Sequence, residues 1–217
     1  MTPRPFIRSV VGAVVLFGAV FASAQIAPGR SGHSTMSYFG GDEAWDTLRE
    51  FGECYASTQR TNALKFVSTR PDSVEERAEY VRQFSSDGQN CLSLASELRV
   101  PYQMVRGVIA EGLYRRGIAV PASLAVNSPP ALSGVRNFMD AALCFTAGHR
   151  AQVRTLLATT KLGTKAENDA VGALMPAIGA CIPAAARQVS ISSPMIRVRL
   201  AEAMWRLGES ANGQVAR

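Results

Sequence analysis

The four cysteines of this 217-residue chain fall into two pairs with identical spacing. Cys54 and Cys91 lie 37 positions apart, and so do Cys144 and Cys181. The second pair begins 90 positions after the first (144 minus 54). Two pairs with one spacing indicate that a single cysteine-containing unit was copied along the chain.

A longer match supports this interpretation. Met104–Arg115 reappears as Met195–Arg206, and both segments contain the pattern Ala-Glu-x-(Leu/Met)-(Tyr/Trp)-Arg. Helix signals dominate from Asp42 onward, whereas alternating β-branched runs bounded by hairpin turns are nearly absent. We predict an all-α protein with two tandem, disulfide-tied units of about 75 residues and about four helices each. We expect them to pack as a small bundle or a tetratricopeptide-like array.

The N-terminal residues predict export. Arg4 and Arg8 precede an apolar run, Val10–Phe21, and Ala22–Ala24 provides the small residues of a cleavage site before Gln25. The apolar run is shorter than the roughly 20 residues of a membrane-spanning helix. A retained membrane anchor is the alternative. We therefore predict a periplasmic or secreted protein with no transmembrane segment after cleavage.

Export to an oxidising compartment favours paired thiols. Four cysteines allow three connectivities, and spacing alone does not select among them. A unit copied whole carries its own bridge, so we predict Cys54–Cys91 and Cys144–Cys181. Close ligand pairs of the C-x₂-C type are missing, so we expect neither a metal nor a cofactor.

Composition divides the chain into six segments. The predicted boundaries are a signal peptide (1–24), a Gly/Ser-rich lead-in (25–41), helical unit 1 (42–117), a connector with Pro121, Pro129 and Pro130 (118–130), helical unit 2 (131–210) and a tail (211–217). Within each unit, the first helix begins near Asp42 or its counterpart and carries a helical apolar stripe. The stripes are Trp45, Leu48, Gly52 and Tyr55, and Val135, Phe138, Ala142 and Phe145.

Second helices are expected at Gln59–Ser68 and His149–Thr159, and third helices after two capping boxes, Ser73-x-x-Glu76 and Thr164-x-x-Glu167. The third helices should lie beside the first. Their expected inner faces are Val81, Phe84 and Cys91 in unit 1, and Val171, Leu174, Ile178 and Cys181 in unit 2. Ser85–Gly88 is expected to break the first of these helices, and Pro176 to kink the second.

The fourth helices follow Pro101 and Pro194 and end at Gly117 and Gly208. Each contains a glutamate four residues before an arginine, in the favourable order for a helix ion pair. We predict structural pairs Glu111–Arg115 and Glu202–Arg206, with further bonds to a neighbouring helix.

Charge is unevenly distributed between the units. Residues 42–117 hold ten Lys/Arg and twelve Asp/Glu, whereas residues 131–217 hold ten and five. A basic second unit is suited to an envelope protein or an acidic envelope component as partner. A partner groove is expected at five residues of the fourth helices: Arg106, Tyr114, Arg197, Arg199 and Trp205.

Catalytic groups are sparse. The two histidines are His33, in the lead-in, and His149, at a helix start, and the sequence has no phosphate-binding glycine loop. Arginines are not clustered with aromatic residues, so we expect no nucleic-acid partner. An envelope hydrolase with Glu111 and Glu202 as a carboxylate pair is the alternative to a non-catalytic role. An arginine one turn from each glutamate opposes the raised pKa that a general acid needs.

A leader, two cysteines per helical unit and the repeated Ala-Glu segment together resemble a group of uncharacterised exported proteins of Gram-negative bacteria. The resemblance covers residues 42–210 and rests on the four cysteines and on residues 110–115 and 201–206. It implies an exported helical protein and implies no activity, cofactor or catalytic residue. We therefore expect a non-catalytic protein that binds a partner or has a structural role in the cell envelope.

Overall fold

The computed structural model describes residues 42–84, 91, 100–183 and 191–211. Every regular element in these residues is helical, which confirms the all-α class. The helices are α1 (Asp42–Thr58), α2 (Arg60–Ser68), α3 (Val74–Phe84), α4 (Tyr102–Arg115), α5 (Phe138–Thr159), α6 (Lys165–Ala180) and α7 (Ser193–Arg206), with a 3-10 turn at Leu132–Gly134 before α5.

The first two helices of each half differ in continuity. A break at Gln59 (φ −117°, ψ 38°) separates α1 from α2. His149, 90 positions later, has a similar non-helical conformation (φ −129°, ψ 30°), but there the helix resumes at once and both predicted helices form one kinked α5. Val135 lies outside the helix that was expected to contain it, because Asn137 caps α5 and the helix begins at Phe138.

Both capping boxes form, with one difference from the expected pattern. The Glu76 N–H donates to Ser73 Oγ at 3.1 Å, and the Glu167 N–H donates to Thr164 Oγ1 at 3.3 Å. Each glutamate side chain, however, accepts from the N–H one residue before the cap, at Asp72 and Gly163. These two residues share a left-handed backbone (φ 60° and 78°), which turns their N–H groups toward the glutamates.

The inner face predicted for α3 is partly wrong. Val81 is 53% exposed, whereas Val171 and Ile178 on α6 are buried. Equivalent positions differ by 91 from Thr69 and Thr160 through the capping boxes, and again in the fourth helices, although Cys91 and Cys181 differ by 90. With the offset of the capping boxes, Val81 corresponds to Gly172 and not to Val171. Pro176 lies inside α6, which continues to Ala180. The predicted break at 85–88 lies outside the described residues.

The fourth helices end as predicted. Gly117 and Gly208 adopt left-handed backbones (φ 63° and 77°). The next residue in each case bonds back into the helix, from Ile118 N–H to the Leu113 carbonyl and from Glu209 N–H to the Met204 carbonyl, both at 3.0 Å. Since these bonds satisfy carbonyls that the helix ends leave free, glycine terminates both helices in the same way.

Helices α4 and α7 pack against each other at the centre, and we call this contact the α4–α7 seam. Helix α1 packs on the other side of α4, and α5 on the other side of α7. Apolar side chains from all of these helices form one continuous core. The first and third helices also meet, as expected, through Tyr55 and Phe84, whose ring centroids are 5.1 Å apart.

Glycine permits the closest helix contacts. A Cβ atom on Gly52 would lie 2.3 Å from the Val108 carbonyl oxygen of α4, and one on Gly112 would lie 2.4 Å from the Gly52 carbonyl oxygen. Helices α1 and α4 therefore touch through their backbones.

The structure joins Cys54 to Cys91 and Cys144 to Cys181, the pairing that the sequence favours. The Cα atoms are 5.6 and 5.9 Å apart, which is usual for disulfides. In the chain-entropy model, a loop of this length stabilises the folded state by about 4 kcal/mol. Within the described ranges, no helix combines the length and apolar character needed to cross a membrane.

Candidate functional site

A buried network of arginines and glutamates occupies the α4–α7 seam. Arg106 of α4 and Glu202 of α7 have fully buried side chains. The Arg106 Nη2 atom donates to Glu202 Oε1 at 2.8 Å, and Nε donates to Oε2 at 3.1 Å. This two-point contact matches the planar guanidinium to the carboxylate.

The remaining donors of Arg106 bond to the end of α2. They reach the carbonyls of Phe66 (3.2 Å) and Val67 (2.6 Å) and the hydroxyl of Thr69 (2.9 Å). The last carbonyls of a helix have no partner within it and attract cations. Arg106 therefore joins α2, α4 and α7.

A second network repeats this arrangement in reverse. Arg197 of α7 donates through Nη2 to Glu111 Oε1 of α4 at 2.9 Å, and its Nε lies 3.3 Å from Oε2. Arg197 also bonds to the carbonyls of Leu156 and Leu157 and to the hydroxyl of Thr160, near the end of α5. Each of the two fourth helices, α4 and α7, thus contributes one arginine to a glutamate of the other, and we call this arrangement reciprocal charge exchange.

Both predicted ion pairs within the fourth helices are present. Arg115 Nε donates to Glu111 Oε1, and Arg206 Nε donates to Glu202 Oε1, both at 2.9 Å. The two arginines also bond to neighbouring elements, from Arg115 to the Leu157 carbonyl at 2.7 Å and from Arg206 to the Val67 carbonyl at 2.9 Å. Each glutamate is therefore held by an arginine of its own helix and by one of the opposite helix.

One cation breaks the symmetry. Arg199 of α7 lies 3.2 Å from Glu202 Oε2 and 3.2 Å from Asp72 Oδ1. The equivalent position of α4, 91 residues earlier, is the buried apolar Val108. The network around Glu202 consequently contains one more arginine than the network around Glu111.

Electrostatics keeps both central glutamates ionised. Burial alone raises the pKa of Glu111, but the charges and hydrogen bonds of Arg197 and Arg115 outweigh it, and the pKa lies below its ordinary value. Burial also raises the pKa of Glu202, but the charges of Arg106 and Arg206 outweigh it, and this pKa too lies below its ordinary value. A general acid for glycoside hydrolysis must hold a proton, so this geometry opposes the carboxylate-pair hydrolase.

The predicted groove is not present at its expected residues. Each of the five lies in the protein interior, with at most 2% of its surface exposed: Arg106, Tyr114, Arg197, Arg199 and Trp205. The seam buries the arginines because it supplies carboxylates and helix-end carbonyls as partners, and it buries the aromatic rings in the core. The Trp205 indole N–H donates to the Ile118 carbonyl at 2.7 Å.

The uneven charge of the two halves has an internal explanation. Arg197 and Arg199 of the basic second half pair with Glu111 and Asp72 of the acidic first half. The sequence predicts an acidic partner for the basic second half. Part of that role is taken by acidic residues in the first half of the same chain.

His149 has a structural position. Its ring stacks on Phe145 with centroids 4.5 Å apart, and Nδ1 lies 2.6 Å from Gln152 Oε1. The residue marks the kink in α5. His33 lies outside the described residues.

Sequence reasoning missed the roles of Glu76 and Glu167. Both are completely buried, and they approach Arg106 and Arg197 at 3.7 and 3.8 Å. The available signal was their equivalence: each is the glutamate of a capping box, and each arginine occupies the third position of a repeated Met-(Val/Ile)-Arg segment.

Comparisons with protein-family models, with curated proteins and with solved structures found no match to this chain. The geometry of the seam and of the exposed helix faces is therefore the basis for inferring a function.

Proposed function

We propose that the protein is an exported, non-catalytic helical protein of the cell envelope, and that it acts by binding a protein partner. The observation that carries this proposal is that four charged residues of the two matching segments are buried and paired with one another. Arg106, Glu111, Arg197 and Glu202 bond to one another and to helix ends inside the protein. The charged residues of the two matching segments therefore hold the helices together, and this role favours a structural function for them over acid–base catalysis.

We further propose that residues 42–117 and 131–210 are two copies of one ancestral unit. The reciprocal exchange of Arg106–Glu202 and Arg197–Glu111 supports this origin, as do equivalent disulfides, capping boxes and glycine stops. Two copies that exchange buried charges depend on each other for folding.

Export is supported by the leader-like residues 1–24 and by the two disulfides, which persist in oxidising compartments. A periplasmic or secreted location also suits a small scaffold whose bridges join distant parts of each half.

The third helices offer exposed apolar surface for a partner. Val74 and Val81, seven residues apart on one side of α3, are 80% and 53% exposed, and Met175 on α6 is 40% exposed. On α6, residues 170–180 contain no charged side chain. Apolar side chains exposed on one helix face are suited to contact with a protein surface.

Site-specific photo-crosslinking in the intact envelope tests this proposal. A photoreactive amino acid is placed at Val81 or Met175, and in matched controls at Glu50 or Lys165, which are exposed and charged. We expect one discrete protein adduct from at least one apolar position and none from the controls. Equal labelling at all four positions, or no adduct at any of them, contradicts partner binding through the third helices.

A further inference from the structure

Glu167 is a buried carboxylate whose contacts only partly offset its loss of hydration. Its side chain is 0% exposed, and its Oε2 atom accepts one hydrogen bond, from the Gly163 N–H at 2.6 Å. Its Oε1 atom accepts no hydrogen bond. A buried ionised carboxylate normally needs several donors or a close cation to offset the loss of water.

The charged groups that face Glu167 come from two neighbouring helices. Arg197 of α7 is the nearest cation, with its Nε 3.8 Å from Oε1, but it is already committed to Glu111 at 2.9 Å. Glu111 of α4 carries a negative charge that repels an ionised Glu167. On α6 itself, the exposed Lys165 and Asp169 pair with each other.

The turn before α6 connects Glu167 to a neighbouring helix. Gly163 has φ 78°, and its N–H group holds the Glu167 side chain. Trp45 of α1 packs so closely on Gly163 that a Cβ atom there would lie 2.1 Å from the indole ring. The site therefore joins the start of α6 to α1 and to the seam.

Glu76 provides an internal comparison. It has the same capping position, the same burial and an Oε1 atom that accepts no hydrogen bond. Burial raises its pKa, but Arg106, at 3.7 Å, and Arg199 both oppose that rise. Arg199 has no equivalent beside Glu167, because α4 contains Val108 at that position.

We propose that Glu167 is a pH-responsive latch, which fastens the α5–α6 turn when its carboxyl is protonated and releases the first turn of α6 when it is ionised. Release follows because the ionised carboxylate gains hydration if the turn opens. Glu76, with its second arginine, responds less to pH. The proposal concerns regulation of the fold and does not depend on the identity of a partner.

The electrostatic environment agrees with this geometry. Burial raises the pKa of Glu167 to about 7, against the lowering effects of the Gly163 N–H and Arg197. An unfolded glutamate loses its proton near pH 4.5. The stability gained from the protonated form is thus fully present below about pH 4.5 and is lost as the pH rises through about 7.

Carbon-13 NMR of the oxidised protein, exported from its full-length gene, measures the latch directly. Glutamate carboxyl signals are assigned from the backbone and titrated from pH 4 to pH 9. We expect the Glu167 midpoint at or above pH 6, above that of Glu76, and protection of the Gly163 amide against hydrogen exchange that decreases above the midpoint. A Glu167 midpoint below pH 6, or amide protection that does not follow it, overturns the proposal.

Glu167→Gln and Glu76→Gln form a matched pair of variants. Glutamine cannot ionise, so the Tm of Glu167→Gln should change with pH less than that of the parent protein. Between pH 5 and pH 8, we expect the Tm of the parent protein to fall by about 5 °C more than the Tm of Glu167→Gln. An equal loss in the parent and in Glu167→Gln contradicts the latch. If Glu167→Gln does not fold, the NMR titration of the parent protein decides the matter.

Discussion

Replacing Glu202 by glutamine is expected to lower the free energy of unfolding by about 3–5 kcal/mol at pH 7. The Glu202 carboxylate accepts from Arg106, Arg199 and Arg206. Removing its charge leaves buried guanidinium groups without their counter-ion, and the seam cannot hydrate them without opening. Urea unfolding of the parent and the variant, followed by circular dichroism, gives the difference.

The matched control is Glu50→Gln. Glu50 is 72% exposed and lies 3.8 Å from Arg49, so its loss should change stability by less than about 0.5 kcal/mol. The pH dependence supplies a second check. The pKa of Glu202 is lowered in the folded state, so its stabilisation is present above the unfolded value of about 4.5 and is lost as the pH falls. A Glu202→Gln variant within 1 kcal/mol of the parent at pH 7 contradicts a structural role for the seam.

Gly52→Ala is expected to destabilise the protein by about 3 kcal/mol or more, in spite of the better helix propensity of alanine. The added Cβ atom would lie 2.3 Å from the Val108 carbonyl oxygen, a backbone atom that cannot move without shifting α4. Helices α1 and α4 must then separate along a contact that also includes Gly112. The shift in urea midpoint at unchanged slope measures the loss.

Gly172→Ala is the control for helix propensity. Gly172 lies within α6, and a Cβ atom there would meet nothing within 4 Å. This variant should be neutral or up to about 1 kcal/mol more stable than the parent. If Gly52→Ala and Gly172→Ala behave alike, the close backbone contact between α1 and α4 is not present in solution.

Local features of the fold could be predicted from the sequence because their causes are local. The glycine stops depend on backbone freedom at Gly117 and Gly208, and the helix caps on hydroxyl groups three residues before a glutamate. The disulfide pairing followed from the copied unit, which carries its own bridge, together with the predicted export. The pairs Glu111–Arg115 and Glu202–Arg206 required only helical spacing.

The seam could not be predicted because it depends on how distant segments meet. Charged side chains are usually exposed, so Arg106, Arg197 and Arg199 were expected at a groove. Instead, Arg106 and Arg197 bind carboxylates of the opposite helix, and Arg199 binds Glu202 of its own helix and Asp72 of the first half. The exposed position of Val81 has a related cause. The third helices are related by an offset of 91 residues, and this places Val81 on the outer side of α3. The cysteines are related by an offset of 90, so their spacing gives no sign of the extra residue.

The central claim is that reciprocal charge exchange across the α4–α7 seam makes the two halves one cooperative unit. Differential scanning calorimetry of the oxidised, exported protein tests it most directly. We expect one transition whose calorimetric and van't Hoff enthalpies agree, and in Glu202→Gln a single transition at lower temperature. Two resolved transitions in the parent protein, or a Glu202→Gln profile in which only one half loses stability, would contradict the claim.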